Sequence, residues 1–220
     1  MSSSSDQPAR LKITEIFHSL QGEARNTGLP TVFIRLTGCP LRCSYCDTEY
    51  AFTGGQWMSL DDILAHLGQY ATRYVTVTGG EPLAQKNCIE LLQRLCEQGY
   101  DVSLETSGAL ALEAVDPRVT KVVDIKTPGS GEAEKNRIDN FASLNPADQL
   151  KFVICNHEDY LWSVDYIARH RLEARCEVLF SPVQDRLAPD ELAGWILQDQ
   201  LNVRFQIQLH KYLWGDKHGV

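Results

Sequence analysis

The stretch "TVFIRLTGCPLRCSYCDTEYAF", residues 31–52, runs an apolar segment of strand length straight into a loop that carries Cys39, Cys43 and Cys46, then Asp47 and Thr48. Three thiols so spaced on irregular chain make a soft-metal site, for which zinc and iron–sulfur are the candidates. A structural zinc normally takes four protein ligands, commonly from two Cys-x-x-Cys pairs, and the sequence has no matching second pair. A four-iron cluster held by only three cysteines keeps one iron open to an outside ligand. Three incidental core cysteines are the remaining reading, but Pro40, Arg42, Ser44 and Asp47 are poor company for a core.

Outward from that loop, the chain has 220 residues, of which 43% are hydrophobic, enough for one continuous core. A single domain is expected over residues 11–220, behind a flexible tail at 1–10, "MSSSSDQPAR". The net charge of −8 argues against a chain that grips a nucleic-acid backbone. No apolar run approaches the ~20 residues that cross a bilayer, and the first residues lack the pattern of a signal peptide, so no membrane and a cytoplasmic location are expected. Cys88, Cys96, Cys155 and Cys176 are scattered through apolar segments and read as small buried hydrophobes in a reducing compartment.

After an extended "LKITEIFHSL", apolar runs of strand length start at Thr31, Tyr74, Asp101, Thr120, Gln149, Cys176 and Val203. Helical periodicity fills most of the gaps. Ile63, Leu64 and Leu67 follow a Ser59/Asp62 capping pattern, Ile89 to Leu95 lead to a stop at Gly99, and "EDYLWSVDYIARH" and "APDELAGWILQDQ" give two more helices. Strand–helix alternation predicts right-handed βαβ units and a parallel sheet. "TGC", "TGGEP", "ETSG", "DIKTPGSG", "FSPVQ" and "QLHK" each end an apolar run, and ligands bind at that edge of parallel sheets. So many polar clusters on one rim predict an α/β fold curled into a partial, incomplete TIM-type barrel. "NTGLP" and "FTGGQW" read as loops, and residues 127–148 as a long loop with one short helix.

Cys-x-x-x-Cys-x-x-Cys after the first strand of the series, with Tyr45 before the last cysteine, resembles the signature of radical S-adenosylmethionine (SAM) enzymes. "TGGEP", residues 78–82, resembles the second motif of that superfamily, in the right order and on the right strand. The resemblance implies a [4Fe-4S] cluster on Cys39, Cys43 and Cys46, with SAM chelating the open iron and giving a 5′-deoxyadenosyl radical on reduction. It also implies SAM contacts at Tyr45, Cys46, Asp47 and Gly80. Glu105 and Ser107 would meet its ribose and carboxylate. Asp124, Ile125 and Lys126, with Ser181, Pro182, Val183 and Gln184, would line its nucleoside.

Among short chains of this kind, "SLQGE" at 19–23, the run from Gly28 through Arg35 to Cys39, "CDT" at 46–48 and "QLHK" at 208–211 resemble the 7-carboxy-7-deazaguanine synthases of queuosine biosynthesis. That resemblance implies a carbon–nitrogen lyase, which turns 6-carboxy-5,6,7,8-tetrahydropterin into 7-carboxy-7-deazaguanine and ammonia, with SAM regenerated. It implies Mg²⁺ on Thr48 and substrate contacts from Leu20, Gln21, Gly22, Arg35, Thr78, His210 and the C-terminal Val220. It further implies a homodimer supplied with electrons by a reductant such as flavodoxin. Two other readings stay open: an activase that makes glycyl radicals in a partner enzyme, and a zinc-stabilised binding module. For Arg35 the alternative is a structural ion pair; an unpaired buried guanidinium is costly, and a carboxylate ligand would offset that cost.

Overall fold

The computed structural model describes residues 9–220. Residues 1–8 of the expected tail lie outside that range, and Arg10, read as part of the tail, is instead the first residue of a strand. The strands are β1 (Arg10–Leu20), β2 (Pro30–Leu36), β3 (Gln56–Ser59), β4 (Tyr74–Gly79), β5 (Asp101–Thr106), β6 (Thr120–Ile125), β7 (Gln149–Ile154), β8 (Glu177–Pro182) and β9 (Arg204–Phe205). They form one open sheet in the order β3-β1-β2-β4-β5-β6-β7-β8-β9. From β2 to β9 the neighbours are parallel, whereas β1 runs antiparallel to both β2 and β3. The connection Gln21–Leu29 is too short for a parallel crossover, which takes about a dozen residues or more, so β1 and β2 pair as a hairpin.

The helices α1 (Leu60–Leu67), α2 (Cys88–Glu97), α3 (His157–His170) and α4 (Pro189–Gln198) fall where the periodicity predicts them, and α5 (Leu209–Trp214) follows β9. Ser59 Oγ accepts from the Asp62 backbone at 3.1 Å, which starts α1. Asn156 does the same for Asp159 at the head of α3. Because side chains alternate along a strand, each β-strand splits into two rows. Ile34 and Leu36, Val75 and Val77, Val102 and Leu104, and Leu150 and Phe152 belong to one core with Ile63, Leu91, Leu92, Tyr160 and Ile196 of the helices. Each such side chain contributes about 1.5–3 kcal/mol on burial. The opposite row, Arg35, Thr78, Glu105, Asp124 and Lys151 among others, faces a cavity.

The sheet is not closed by strand pairing; a loop bridges its ends. Ala24 N donates to Gln206 Oε1 (2.8 Å), Arg25 N to Gln149 Oε1 (3.0 Å) and Leu209 N to Gly22 O (3.0 Å), so the segment after β1 spans to the far edge. That is the partial barrel. Three local expectations are corrected. β3 begins inside "FTGGQW", the stretch read as a loop, and runs past its end, by pairing Gln56–Ser59 with Arg10–Ile13. The run from Val203 keeps only Arg204–Phe205 in the sheet and then turns into α5, which takes His210 out of a strand and into a helix. Residues 127–148 hold three short 3-10 turns, Pro128–Ser130, Ala133–Lys135 and Ile138–Ser143, in place of one helix.

Candidate active site

The loop after β2 enters the cavity mouth because two glycines let β4 come close. A Cβ on Gly80 would sit 2.3 Å from Gly38 O and 2.7 Å from Cys39 Cβ, and one on Gly79 would sit 2.4 Å from Leu36 O. Cys39, Cys43 and Cys46 are free thiols, half-buried, and all three line one cavity of about 280 Å³. Burial pushes each thiol above its ordinary value. Glu81, the acid of "TGGEP", turns away from the cavity. Fully buried, it accepts from Thr106 Oγ1 (2.9 Å) and from Ser107 N (2.7 Å), and so ties the end of β5 to the end of β4.

Beneath the thiols lies a polar floor. Glu105 Oε2 accepts from Thr78 Oγ1 (3.0 Å) and Oε1 from Gln21 Nε2 (3.2 Å), so this residue keeps company with two others assigned above to substrate. Gln21 also reaches Thr76 Oγ1 at 3.1 Å. Burial raises the Glu105 carboxyl above its ordinary value, against the pull of Lys151. Lys151 gives its shortest contact instead to Glu23 Oε2 (2.6 Å); burial pushes the Glu23 carboxyl up, but Lys151 together with Gln208 and its other polar neighbours holds it low. Asp124 is likewise lowered, since Lys126 (2.9 Å) and Lys151 (3.4 Å) overcome its burial. Arg35 Nε is paired with Glu15 Oε1 at 2.7 Å, and Tyr50 donates to the same oxygen at 2.7 Å. The ion pair read as an alternative for Arg35 is therefore present, and it uses one edge of the guanidinium while the side chain still lines the cavity.

At the rim, Thr48 Oγ1 donates to Asp47 Oδ1 (2.8 Å), and Asp47 Oδ2 accepts from Gln208 Nε2 (3.2 Å) and lies 3.2 Å from Lys211 Nζ. Lys211 holds the Asp47 carboxyl well below the usual range despite the burial that opposes it. His210 packs on Gly22, where a Cβ would fall 2.3 Å from its Nδ1. Leu20, Gly22, His210 and Val220 all line the cavity, as do Tyr45, Asp47, Thr48, Ser107, Lys126 and Val183. Ile125, Ser181, Pro182 and Gln184 do not; Ile125 belongs to the core on the other face of the sheet. Tyr50 and Lys151 are cavity residues that the motifs did not point to, although a lone lysine inside "QLKFVIC" is the same signal that singled out Arg35; Glu23 and Lys211 also line the cavity and lie inside "SLQGE" and "QLHK", but the motifs gave them no role.

These residues fit a four-iron cluster. Three thiols open on one space, and the buried Tyr45 hydroxyl beside them has no hydrogen-bond partner. Among the described residues no three His, Cys, Asp or Glu side chains are grouped to hold a single metal ion. No described helix is long and apolar enough to cross a membrane. Residues 33–120 match the model of the radical SAM superfamily, which implies a [4Fe-4S] cluster and SAM. In overall form the chain is similar to QueE from Escherichia coli, with a TM-score of 0.74 over 91% of this chain and 95% of that one at 24% identity. It is 45% identical to a 7-carboxy-7-deazaguanine synthase of Chlorobaculum tepidum, over 96% of this chain and 98% of that protein. It is 43% identical to one of Koribacter versatilis, over 93% of this chain and 97% of the relative. With thiols, floor and relatives in agreement, the chain belongs to the 7-carboxy-7-deazaguanine synthase family of the radical SAM superfamily.

Proposed function

We propose that this chain converts 6-carboxy-5,6,7,8-tetrahydropterin to 7-carboxy-7-deazaguanine with loss of ammonia, a step toward queuosine. The observation that carries the reading is that the three thiols and the polar floor of Gln21, Arg35, Thr78 and Glu105 open on the same cavity. Cys39, Cys43 and Cys46 would hold a [4Fe-4S] cluster, which when bound would supply the electron for reductive cleavage of SAM and with it the radical chemistry that the conversion needs. Tyr45, Cys46, Asp47, Gly80, Glu105, Ser107, Asp124, Lys126 and Val183, all on the cavity, would hold SAM. Arg35 keeps its guanidinium plane fixed through Glu15 and offers its outer nitrogens to the substrate carboxylate. Thr78 and Gln21 present donors and acceptors to the amide and amine edge of the pterin, with the backbone of Leu20 and Gly22 and with His210 and Val220 at the rim. Thr48 Oγ1 is the protein oxygen offered to Mg²⁺, a cation that keeps most of its waters and borrows substrate oxygens.

The same reading includes one domain over residues 11–220, supported by a core continuous from Leu11 to Ile196. It also includes a cytoplasmic homodimer served by a reductant such as flavodoxin, with no membrane as partner, and with no nucleic acid, for which the net charge of −8 is the support. The test is anaerobic turnover with the carboxytetrahydropterin, SAM, reductant and Mg²⁺. The deazaguanine and ammonia are expected, with SAM unchanged. A cluster-bearing chain that cleaves SAM and makes no deazaguanine refutes the substrate and favours a glycyl-radical activase. A colourless chain with one zinc refutes the radical chemistry as a whole.

A further inference from the structure

The cysteine loop has little regular structure of its own, yet its middle is held from two sides. Ser44, between Cys43 and Cys46, donates its N–H to Ser130 O (2.9 Å) and its hydroxyl to Gly129 O (2.7 Å). Arg42, on the other side of Cys43, donates its N–H to Glu132 Oε1 at 2.6 Å. Arg186, from the loop after β8, places Nη1 3.0 Å from Ser44 Oγ and Nη2 against Ser44 O. The loop that receives Ser44 is itself folded around a side chain from another element. Asp159, buried in the first turn of α3, accepts from Gly129 N at 2.7 Å and from Cys155 N at 3.0 Å, and its Oδ2 lies 3.0 Å from Thr127 Oγ1. A Cβ on Gly129 would fall 2.4 Å from Asp159 Oδ2, so the backbone there is seated directly on the carboxylate.

We infer that Asp159 and Arg186 are positioning residues for the cluster-binding loop, acting through Ser44 to set the placing of Cys43 and Cys46. The inference rests on the reading of the three cysteines as cluster ligands. Its physical content is that flexible ligands must be ordered when a metal binds, whereas ligands already held by outer partners keep it more tightly. Asp159 touches no cysteine ligand: it shapes the Thr127–Ser130 turn, the turn offers two carbonyls to Ser44, and Ser44 carries the thiols on either side. None of the residues in this clamp is needed to contact SAM or substrate.

The test uses the full chain, reconstituted without oxygen, as Ser44→Ala, Asp159→Asn and the double variant, with Asp165→Asn on the exposed face of α3 as a control. Iron per chain, the rate of iron release to a ferrous chelator, and the electron paramagnetic spectrum of the reduced cluster with SAM are followed beside the thermal midpoint. Each single variant should release iron about 10- to 100-fold faster than the parent, the usual range for loss of an outer partner. The spectrum with SAM should change in the same variants, the double variant should be no worse than the poorer single one, and Asp165→Asn should match the parent. Release at the parental rate from Ser44→Ala overturns the inference even where Asp159→Asn fails to fold. So does a double variant whose effects multiply, or a loss of iron that tracks the thermal midpoint with an unchanged spectrum. A parent that takes up no iron overturns the cluster reading itself, an outcome distinct from the others.

Discussion

Lys151 Nζ lies 2.6 Å from Glu23 Oε2, which joins the middle of β7 to the loop after β1 across the inside of the barrel. Both side chains are nearly buried, 11% and 13% exposed, so each depends on the other for its charge. The same lysine lies 3.4 Å from Asp124. One ammonium therefore serves two acids on the floor and leaves Glu105 as the acid that burial pushes up.

Removal of Lys151 alone strands Glu23. Lys151→Met should cost about 3–5 kcal/mol of unfolding free energy, the usual penalty for an uncompensated buried charge. Combined with Glu23→Gln, which removes the stranded charge, the loss should shrink to well under half of that. Urea unfolding of the cluster-free chain measures both. A double variant as weak as the single one would mean that the pair is not what supports the floor.

Gly80→Ala tests the close approach of the "TGGEP" turn to the cysteine loop. Its methyl would fall 2.3 Å from Gly38 O, a backbone atom, and 2.7 Å from Cys39 Cβ, whose place the backbone fixes, so neither can swing aside. Forced overpacking of this kind costs about 1–3 kcal/mol. Here the strain should appear as displacement of Cys39, with iron uptake reduced severalfold. Full iron content after reconstitution would show that the loop yields freely.

The parts of this molecule that were legible in its sequence are those that repeat locally. Alternation along "TVFIRL" puts Ile34 in the core and Arg35 on the cavity, and the heptad-like spacing of α2 buries Leu91, Leu92 and Leu95. The spacing of the cysteines and the glycines of "TGGEP" are also local, and the structure brings both to one mouth. Lys151 was visible as a lone charge in a buried strand, but its partner Glu23 is 128 residues away and nothing near either one announces the pair. β3 was missed for the same reason: Gln56–Ser59 has an exposed Trp57 and two glycines before it, and is a strand only because Arg10–Ile13 lies beside it. The run from Val203 alternates well enough to predict a longer strand. As the last strand it has one neighbour, and after Gln206 N donates to Phe180 O (3.0 Å) the chain leaves that ladder and turns into α5.

Arg35→Lys keeps a positive charge but removes the fork. Lysine can answer Glu15 or the substrate carboxylate, not both in fixed geometry. Loss of a charge-assisted hydrogen bond of about 1.5–3 kcal/mol should raise KM for the carboxytetrahydropterin roughly 10- to 100-fold, with iron content unchanged. Initial-rate kinetics and an iron assay on the same preparation separate the two. An unchanged KM would assign Arg35 wholly to its ion pair with Glu15.

Glu105→Gln isolates the acid that Lys151 does not satisfy. The ordinary carboxyl value is 4.5, and burial sets the folded value above it. Below the ordinary value Glu105 is protonated in both folded and unfolded chains, so parent and variant start even in this respect. As pH rises, the unfolded chain ionises first, and the parent loses stability until the pH has passed the folded value. Above that the loss is constant. The gap in thermal midpoint between Glu105→Gln and the parent should therefore widen in favour of the variant from about pH 4 upward and then level off. The cluster-free chain is the right material, since iron would add its own pH dependence. A gap that narrows with rising pH would mean that Glu105 is held as a stabilised anion, with Lys151 acting on it rather than on Glu23.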